Sequence, residues 1–368
     1  MKKTLQRLGI VTVGLSLCLW SCKEQDGLVK PSEEVTSTFS KIKEKIDFSV
    51  VEGRLKFETN DDFSSAIAQA SSPKGAKTWE DVSGFTSLGE AYSKYVIENA
   101  EKAIGEVNKD YDDAVFILTD NEGKKSYERT VTMPSLVALI NQKGIVQIGD
   151  KILKISDEEV RITTLSFKSE LELVSPSNHV KINKVTHGKL NEKSAKGAKV
   201  NSEYNRHSSK EYSGIGGFSK RRVLYHKFAT LYNIGYTFLW SIGCHMIHQR
   251  SNWNGWGNEN VDNWSFDAGY AYINPNFPLA PYVTGTTFYY NQSSLNWSGN
   301  PNAPGVADFW LYVDGQFNPP NSPNSPYYSL NMGFNPGIIS AYTAGPGSVS
   351  INDLNFDTTL PVWSNASI

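Results

Sequence analysis

Residues 228–246 read FATLYNIGYTFLWSIGCHM. Phe228, Tyr232, Ile234, Tyr236, Phe238, Trp240, Ile242, Cys244 and Met246 fall on even positions, and Ala229, Asn233, Gly235, Thr237, Ser241 and Gly243 supply small or polar spacers. A period of two places alternate side chains on one face of a β-strand, so the large residues are predicted to share a face. Downstream, GYAYI (269–273), TTFYYN (286–291), DFWLYVDG (308–315) and GSVSINDLNF (347–356) are short, aromatic or β-branched, and separated by Pro, Gly and Asn. Such segments read as further strands, with Asp314-Gly315 as a hairpin turn. An all-β C-terminal domain over 215–368, a β-sandwich, is the expectation.

Working outward, the composition changes near residue 211. Residues 1–210 carry 30 acidic and 31 basic side chains, whereas 211–368 carry 8 and 5; 30 of the 44 aromatics lie in the second part. Such a shift marks a domain boundary. Residues 189–214, KLNEKSAKGAKVNSEYNRHSSKEYSG, hold too little apolar surface to offset their ordering entropy, and 166–214 is assigned as a polar linker region. Residues 47–165 mix helix and strand signals. Asn60-Asp61-Asp62 precedes apolar residues at helical spacing, Ser87 with Glu90 forms a capping box, and Gly149-Asp150 sits inside an alternating stretch as a tight turn. The fold class is therefore an α+β N-terminal module followed by an all-β domain.

At the N-terminus, Lys2, Lys3 and Arg7 precede the apolar run Leu8–Leu19, which is too short for a permanent membrane span and reads as a secretory signal over 1–21. Leu19-Trp20-Ser21-Cys22 resembles a bacterial lipobox, which implies acylation of Cys22 and a membrane partner held through its acyl chains. Lys23-Glu24-Gln25-Asp26 resembles the export signal of Bacteroidota lipoproteins, implying an outer-membrane lipoprotein that faces the cell exterior. Residues 22–46 then form a lipidated tether and a charged helix. FETNDDFSSAI (57–67), Trp79, FTSLGEAY (85–92) and LINQKGIVQIGDKILK (139–154) together resemble the N-terminal module of Bacteroidota surface lipoproteins of unknown function. That resemblance implies no activity and no catalytic residue. Asp357-Thr358-Thr359 resembles the O-glycosylation motif of exported Bacteroidota proteins, with Thr358 as acceptor.

Few chemistries have the residues they need. Gly214-Ile-Gly-Gly217 lacks phosphate-loop spacing. The aromatic half is net acidic, which disfavours nucleic acid as a partner. On a strand, His245 and His248 point to opposite faces, so no metal ligand set is assigned; Cys244 reads as core and the histidines as polar strand ends. No cofactor is called for. Asn258 to Asp267 space oxygens as an irregular calcium site would, or as an Asx-rich turn. Glu259 with Asp308, or other carboxylates among Asp262, Asp267 and Asp314, would have to pair for a glycan hydrolase. An assembly role through exposed aromatic strands is a further alternative. SNWNGWGNENVDNW (251–264) combines three tryptophans with five asparagines and no Lys or Arg. Trp253, Trp256, Trp264, Asn254 and Asn258 are the candidate ligand-binding residues for a neutral glycan or a protein partner, the alternative being that the indoles close the core.

Overall fold

The computed structural model describes residues 46–100, 102–119, 123–188, 208–213, 220–266, 270–276, 288–291, 307–317, 328–343 and 347–362. Cys22, the tether, the charged helix and most of the 189–214 stretch lie outside them.

In chain order, β1 (Phe48–Val51) and β2 (Arg54–Phe57) lead into helices α1 (Asn60–Ala70), α2 (Pro73–Glu80) and α3 (Leu88–Glu98). The hairpin β3 (Val115–Thr119) and β4 (Lys125–Arg129) follows, then the short α4 (Pro134–Val137), β5 (Ile145–Ile148), β6 (Lys151–Ile155), β7 (Glu159–Thr164), β8 (Lys181–Lys184) and β9 (Thr186–His187). Helix α1 starts one residue earlier than its sequence suggests: Thr59, not Asn60, is the N-cap, and its side chain and that of Asp62 satisfy each other's backbone N–H groups. Ser87 is the N-cap of α3, its hydroxyl accepting the Glu90 N–H, which is one half of the expected capping box. Strands β1, β2, β5, β6, β7 and β8 make a six-stranded sheet in that order, with Gly149-Asp150 turning β5 into β6.

The remaining strands are β10 (Ser208–Ser213), β11 (Lys220–Asn233), β12 (Phe238–Asn252), β13 (Gly255–Asn258), β14 (Asn263–Phe266), β15 (Tyr270–Pro275), β16 (Phe288–Asn291), β17 (Asp308–Phe317), β18 (Ser329–Asn335), β19 (Ile339–Thr343), β20 (Gly347–Ile351) and β21 (Phe356–Pro361). The second sheet runs β10-β11-β12-β13, with β17 also on β12 and β9 on β11; β14-β19-β20 and β16-β15-β18-β21 form two smaller sheets. The protein is rich in β-structure with few helices.

The opening stretch is a hairpin of two long strands, and its alternation does not survive the turn. Asn233 pairs with Phe238 across the four residues 234–237, so every cross-strand pair joins an even to an odd position. Phe238, Trp240, Ile242, Cys244 and Met246 of β12 therefore share a face with Val223, Ala229 and Leu231 of β11. Phe228 and Tyr232 point to the other side, which corrects the single-face expectation. Both faces are buried. One joins a hydrophobic cluster with Phe309, Leu311 and Val313 of β17, Trp264 of β14, Met332 of β18 and Leu360 of β21. From the opposite face, Tyr232 and Leu239 join a cluster with Phe57, Phe63, Leu88, Leu136 and Val160 of the N-terminal part.

Two organisational expectations change accordingly. Residues Ile46–Ile368 form one compact unit, because the second sheet lends apolar residues to the core of the first part. Within the assigned linker, residues 166–188 include β8, β9 and a 3-10 segment, and 208–213 form β10. Asp314-Gly315 is no turn: both lie inside β17, where a Cβ on Gly315 would meet the Trp240 ring at 2.6 Å. Glycine is there to make room for an indole across the strand pair. No helix among the described residues is long and apolar enough to cross a membrane.

Candidate functional site

The face of the second sheet turned toward the N-terminal part carries an unusual row of polar residues. By register, Arg222, His226, Thr230 and Tyr232 of β11 stand beside Gln249, His245 and Ser241 of β12 and Asp308, Trp310, Tyr312 and Asp314 of β17. His226 pairs directly with His245. Hairpin β3/β4 and helices α3 and α4 close over this row and supply partners for it.

At its centre, His245 is fully buried and bonded on both nitrogens. Its Nδ1 lies 2.8 Å from Glu128 Oε2, and its Nε2 lies 2.8 Å from Asp308 Oδ1. Tyr92 Oη reaches Asp308 Oδ2 at 2.5 Å, and Ser126 donates to Glu128 Oε1 at 3.0 Å. The His245 ring stacks on Trp310 at 3.8 Å, and the Arg129 guanidinium lies 3.5 Å over the same indole. His226 Nδ1 is 3.7 Å from Glu128 Oε1.

Burial opposes a charge on His245, yet the attraction of Glu128 and Asp308 and their hydrogen bonds prevail and raise its pKa to about 9. The imidazolium therefore persists at neutral pH between two carboxylates. Burial lowers the Arg129 pKa, but a guanidinium remains charged, so two cations face two anions in this layer. Burial and the neighbouring Asp308 push the Tyr92 phenol up, which keeps it a hydrogen-bond donor. Further along, Asp314 accepts the Ser135 N–H at 3.0 Å, and Gln249 donates to the Lys125 carbonyl at 3.1 Å. The bonds of Glu128 with His245, Tyr92 with Asp308, Ser135 with Asp314 and Gln249 with the Lys125 carbonyl all join the aromatic β-structure to the N-terminal part.

The histidines are thus not polar strand ends. His245 sits mid-strand in the buried layer, and His248, on the opposite face, bonds Tyr212 Oη at 2.6 Å and the Glu259 carbonyl at 2.7 Å. Cys244 is core, as expected, its thiol pushed up by burial. Glu128, His226 and His245 present ligand atoms within 4.8 Å of one another, a grouping the local spacing of Cys244, His245 and His248 does not reveal. A cue exists: 226 and 245 are equidistant from the centre of the 234–237 turn. Glu128, Arg129 and Tyr92 give no such signal, since they arrive from other elements.

The sequence-derived tryptophan site separates into three environments. Trp264 is 4% exposed and stacks on Phe309 at 5.2 Å, so it belongs to the core and is withdrawn from the ligand set. Trp256 is half-buried, with the Arg222 guanidinium 4.1 Å over its ring. Trp253 is 96% exposed at the tip of the β12–β13 hairpin, beside the exposed Asn254. Asn258 is buried and its side-chain oxygen accepts from Gln249 at 3.2 Å, so it too leaves the set. The tip is firmly mounted: Ser251 pairs with Trp256 and Asn252 with Gly255, whose φ of +128° favours glycine. Gly257 passes so close to Ala100 and Lys102 that a Cβ would lie 3.1 Å from the carbonyl oxygen of each.

The oxygens proposed for calcium are engaged separately. Asn258 serves Gln249, Glu259 holds Arg221 through two hydrogen bonds, and Asn260 accepts the Ala307 N–H. The carboxylates proposed for hydrolysis likewise have different partners, Glu259 with Arg221 and Asp308 with His245 and Tyr92. Asp262 is exposed, and Asp267 lies outside the described residues. Thr358 is 7% exposed on β21, its hydroxyl turned toward Gly188. A glycan there would require the strand to move, which counts against it as an acceptor.

No family model matches the chain, and no curated protein matches it. A crystal structure of a DUF4848 family protein from Bacteroides thetaiotaomicron shares 13% sequence identity, with 85% of this chain and 99% of that chain covered and a TM-score of 0.25. A likeness of that size carries neither fold nor function across.

Proposed function

We propose that this is a lipoprotein of the outer membrane, anchored through Cys22 and facing the cell exterior, which binds a neutral glycan without cleaving it at the Trp253 hairpin. The observation that carries the binding part is the 96% exposure of Trp253 on a hairpin whose base is fixed. A large indole held in water has apolar surface to offer, and sugar rings present C–H faces that pack on such a ring while their hydroxyls bond amides such as that of Asn254. Arg222 over Trp256 contributes about 0.5–2 kcal/mol to holding the hairpin base, so little ordering entropy remains to be lost on binding. The architecture behind it is an α+β module against one face of the long-stranded sheet and a β-sandwich on the other, supported by the two hydrophobic clusters.

Tryptophan fluorescence of the full chain against a panel of neutral polysaccharides, with product release followed in the same wells, tests the binding reading. A saturable shift without products is expected, and Trp253→Ala should weaken it at least about tenfold while leaving stability within about 0.5 kcal/mol. Unchanged affinity in the variant would refute the site, and released sugar would refute the non-enzymatic part. Silence across the panel would reject glycan as ligand. For the anchor, membrane fractionation that persists in Cys22→Ala would contradict acylation as the tether.

A further inference from the structure

Among the described residues, Glu128, His226 and His245 of the buried layer bring three ligating side chains together. We propose that Glu128, His226 and His245 form a structural site for a divalent transition-metal cation of the zinc class, with Asp308 orienting His245 from behind.

Three observations converge on it. The β11–β12 register sets His226 opposite His245 on one face, and their rings lie 5.0 Å apart at 86°. Hairpin β3/β4 brings one carboxylate to both: Glu128 Oε2 is 2.8 Å from His245 Nδ1, and Oε1 is 3.7 Å from His226 Nδ1. Donors that each lie about 2.1 Å from a common cation are about 3 to 3.5 Å from one another; the two carboxylate contacts lie on either side of that range and the whole group lies within 4.8 Å, so small side-chain shifts would draw the three donors onto one cation. Finally, the far nitrogen of His245 already bonds Asp308, which Tyr92 holds in turn. A carboxylate behind a ligating imidazole is the usual outer-shell arrangement, since it fixes the tautomer and strengthens the ligand.

Two imidazoles with one carboxylate suit zinc and its first-row neighbours, while calcium and magnesium demand more oxygens. The enclosure by Trp310 and Arg129 argues for a structural role, and bidentate coordination by Glu128 would complete four donors. Such a cation would tie β4 to the centre of the second sheet. Because the site is closed, loading accompanies folding.

The test is the metal content of full-length protein produced with zinc or cobalt in the growth medium and purified without chelator. About one equivalent per folded chain is expected, with a visible absorption band of histidine-bound cobalt in the cobalt-grown sample. His226→Gln and Glu128→Gln should each lose the metal and the band. Folded wild-type protein free of divalent metal would overturn the proposal, and so would variants that keep the full equivalent. If a variant does not fold, the wild-type stoichiometry and the cobalt spectrum decide the question between them.

Discussion

Asp308 receives His245 Nε2 on one oxygen and Tyr92 Oη on the other, so one side chain closes a bridge between β12 and α3. Removing that side chain leaves Tyr92 Oη and His245 Nε2 buried without that acceptor while Glu128 still pairs with the imidazolium, a loss of about 1–3 kcal/mol. Asp308→Ala should therefore lower the unfolding free energy by that amount in a urea titration; a loss below about 1 kcal/mol would show the layer to be well hydrated. Asp157 supplies a test by pH. Burial raises its pKa to about 8, against about 4 in an unfolded chain. Between those values the folded state binds the extra proton, so this group makes stability fall as pH rises. Burial lowers His187 to about 4, and its opposite slope offsets that fall up to about pH 6.5, where unfolded histidine has titrated. The contribution of the two is a decline confined to about pH 6.5–8. Asp157→Asn should make the stability profile shallower by one proton in that window, and identical slopes would contradict the assignment. At this scale the sequence is legible in part. Cys244 reads correctly as core, and His226 can be matched to His245 once the turn is centred. Glu128 cannot be read from it, being more than a hundred residues away from His245.

The β11–β12 hairpin shows what periodicity can and cannot say about an element. Alternation marks two strands correctly, yet an even-numbered turn reverses which parity faces which core, and nothing in 228–246 fixes the turn length in advance. The spacers carry meaning of their own. Gly243 lies where a Cβ would meet the Leu311 carbonyl at 2.3 Å and Tyr312 Cα at 2.8 Å, so β17 can approach only because that position is glycine. Gly243→Ala should cost at least about 1–3 kcal/mol by forcing the strands apart, measured by thermal or urea unfolding. A neutral outcome would mean that the β12–β17 pairing is looser than the register implies. Capping signals at Ser87 and the turn at Gly149-Asp150 could be read directly because both are local. Asp314-Gly315 misleads because its glycine answers to Trp240 across the sheet, a contact no local pattern contains.

For the molecule as a whole, the break in charge near residue 211 is real but does not separate two independent bodies. It divides one compact unit into a charged part that covers the polar face of the long-stranded sheet and an aromatic part that fills its other face. Composition reports what each stretch exposes and buries; it does not report that Tyr232 and Leu239 complete the core of residues some hundred positions earlier. The same integration gives the Trp253 hairpin its fixed base, since the segment after α3 packs against it through the Trp256 carbonyl, which accepts the Ile104 N–H at 3.4 Å. Scanning calorimetry of the full chain tests this integration most directly. One cooperative transition, with calorimetric and van't Hoff enthalpies in agreement, is the expected result. Two resolved transitions, one of them surviving Asp308→Ala unchanged, would contradict it and restore two independent domains.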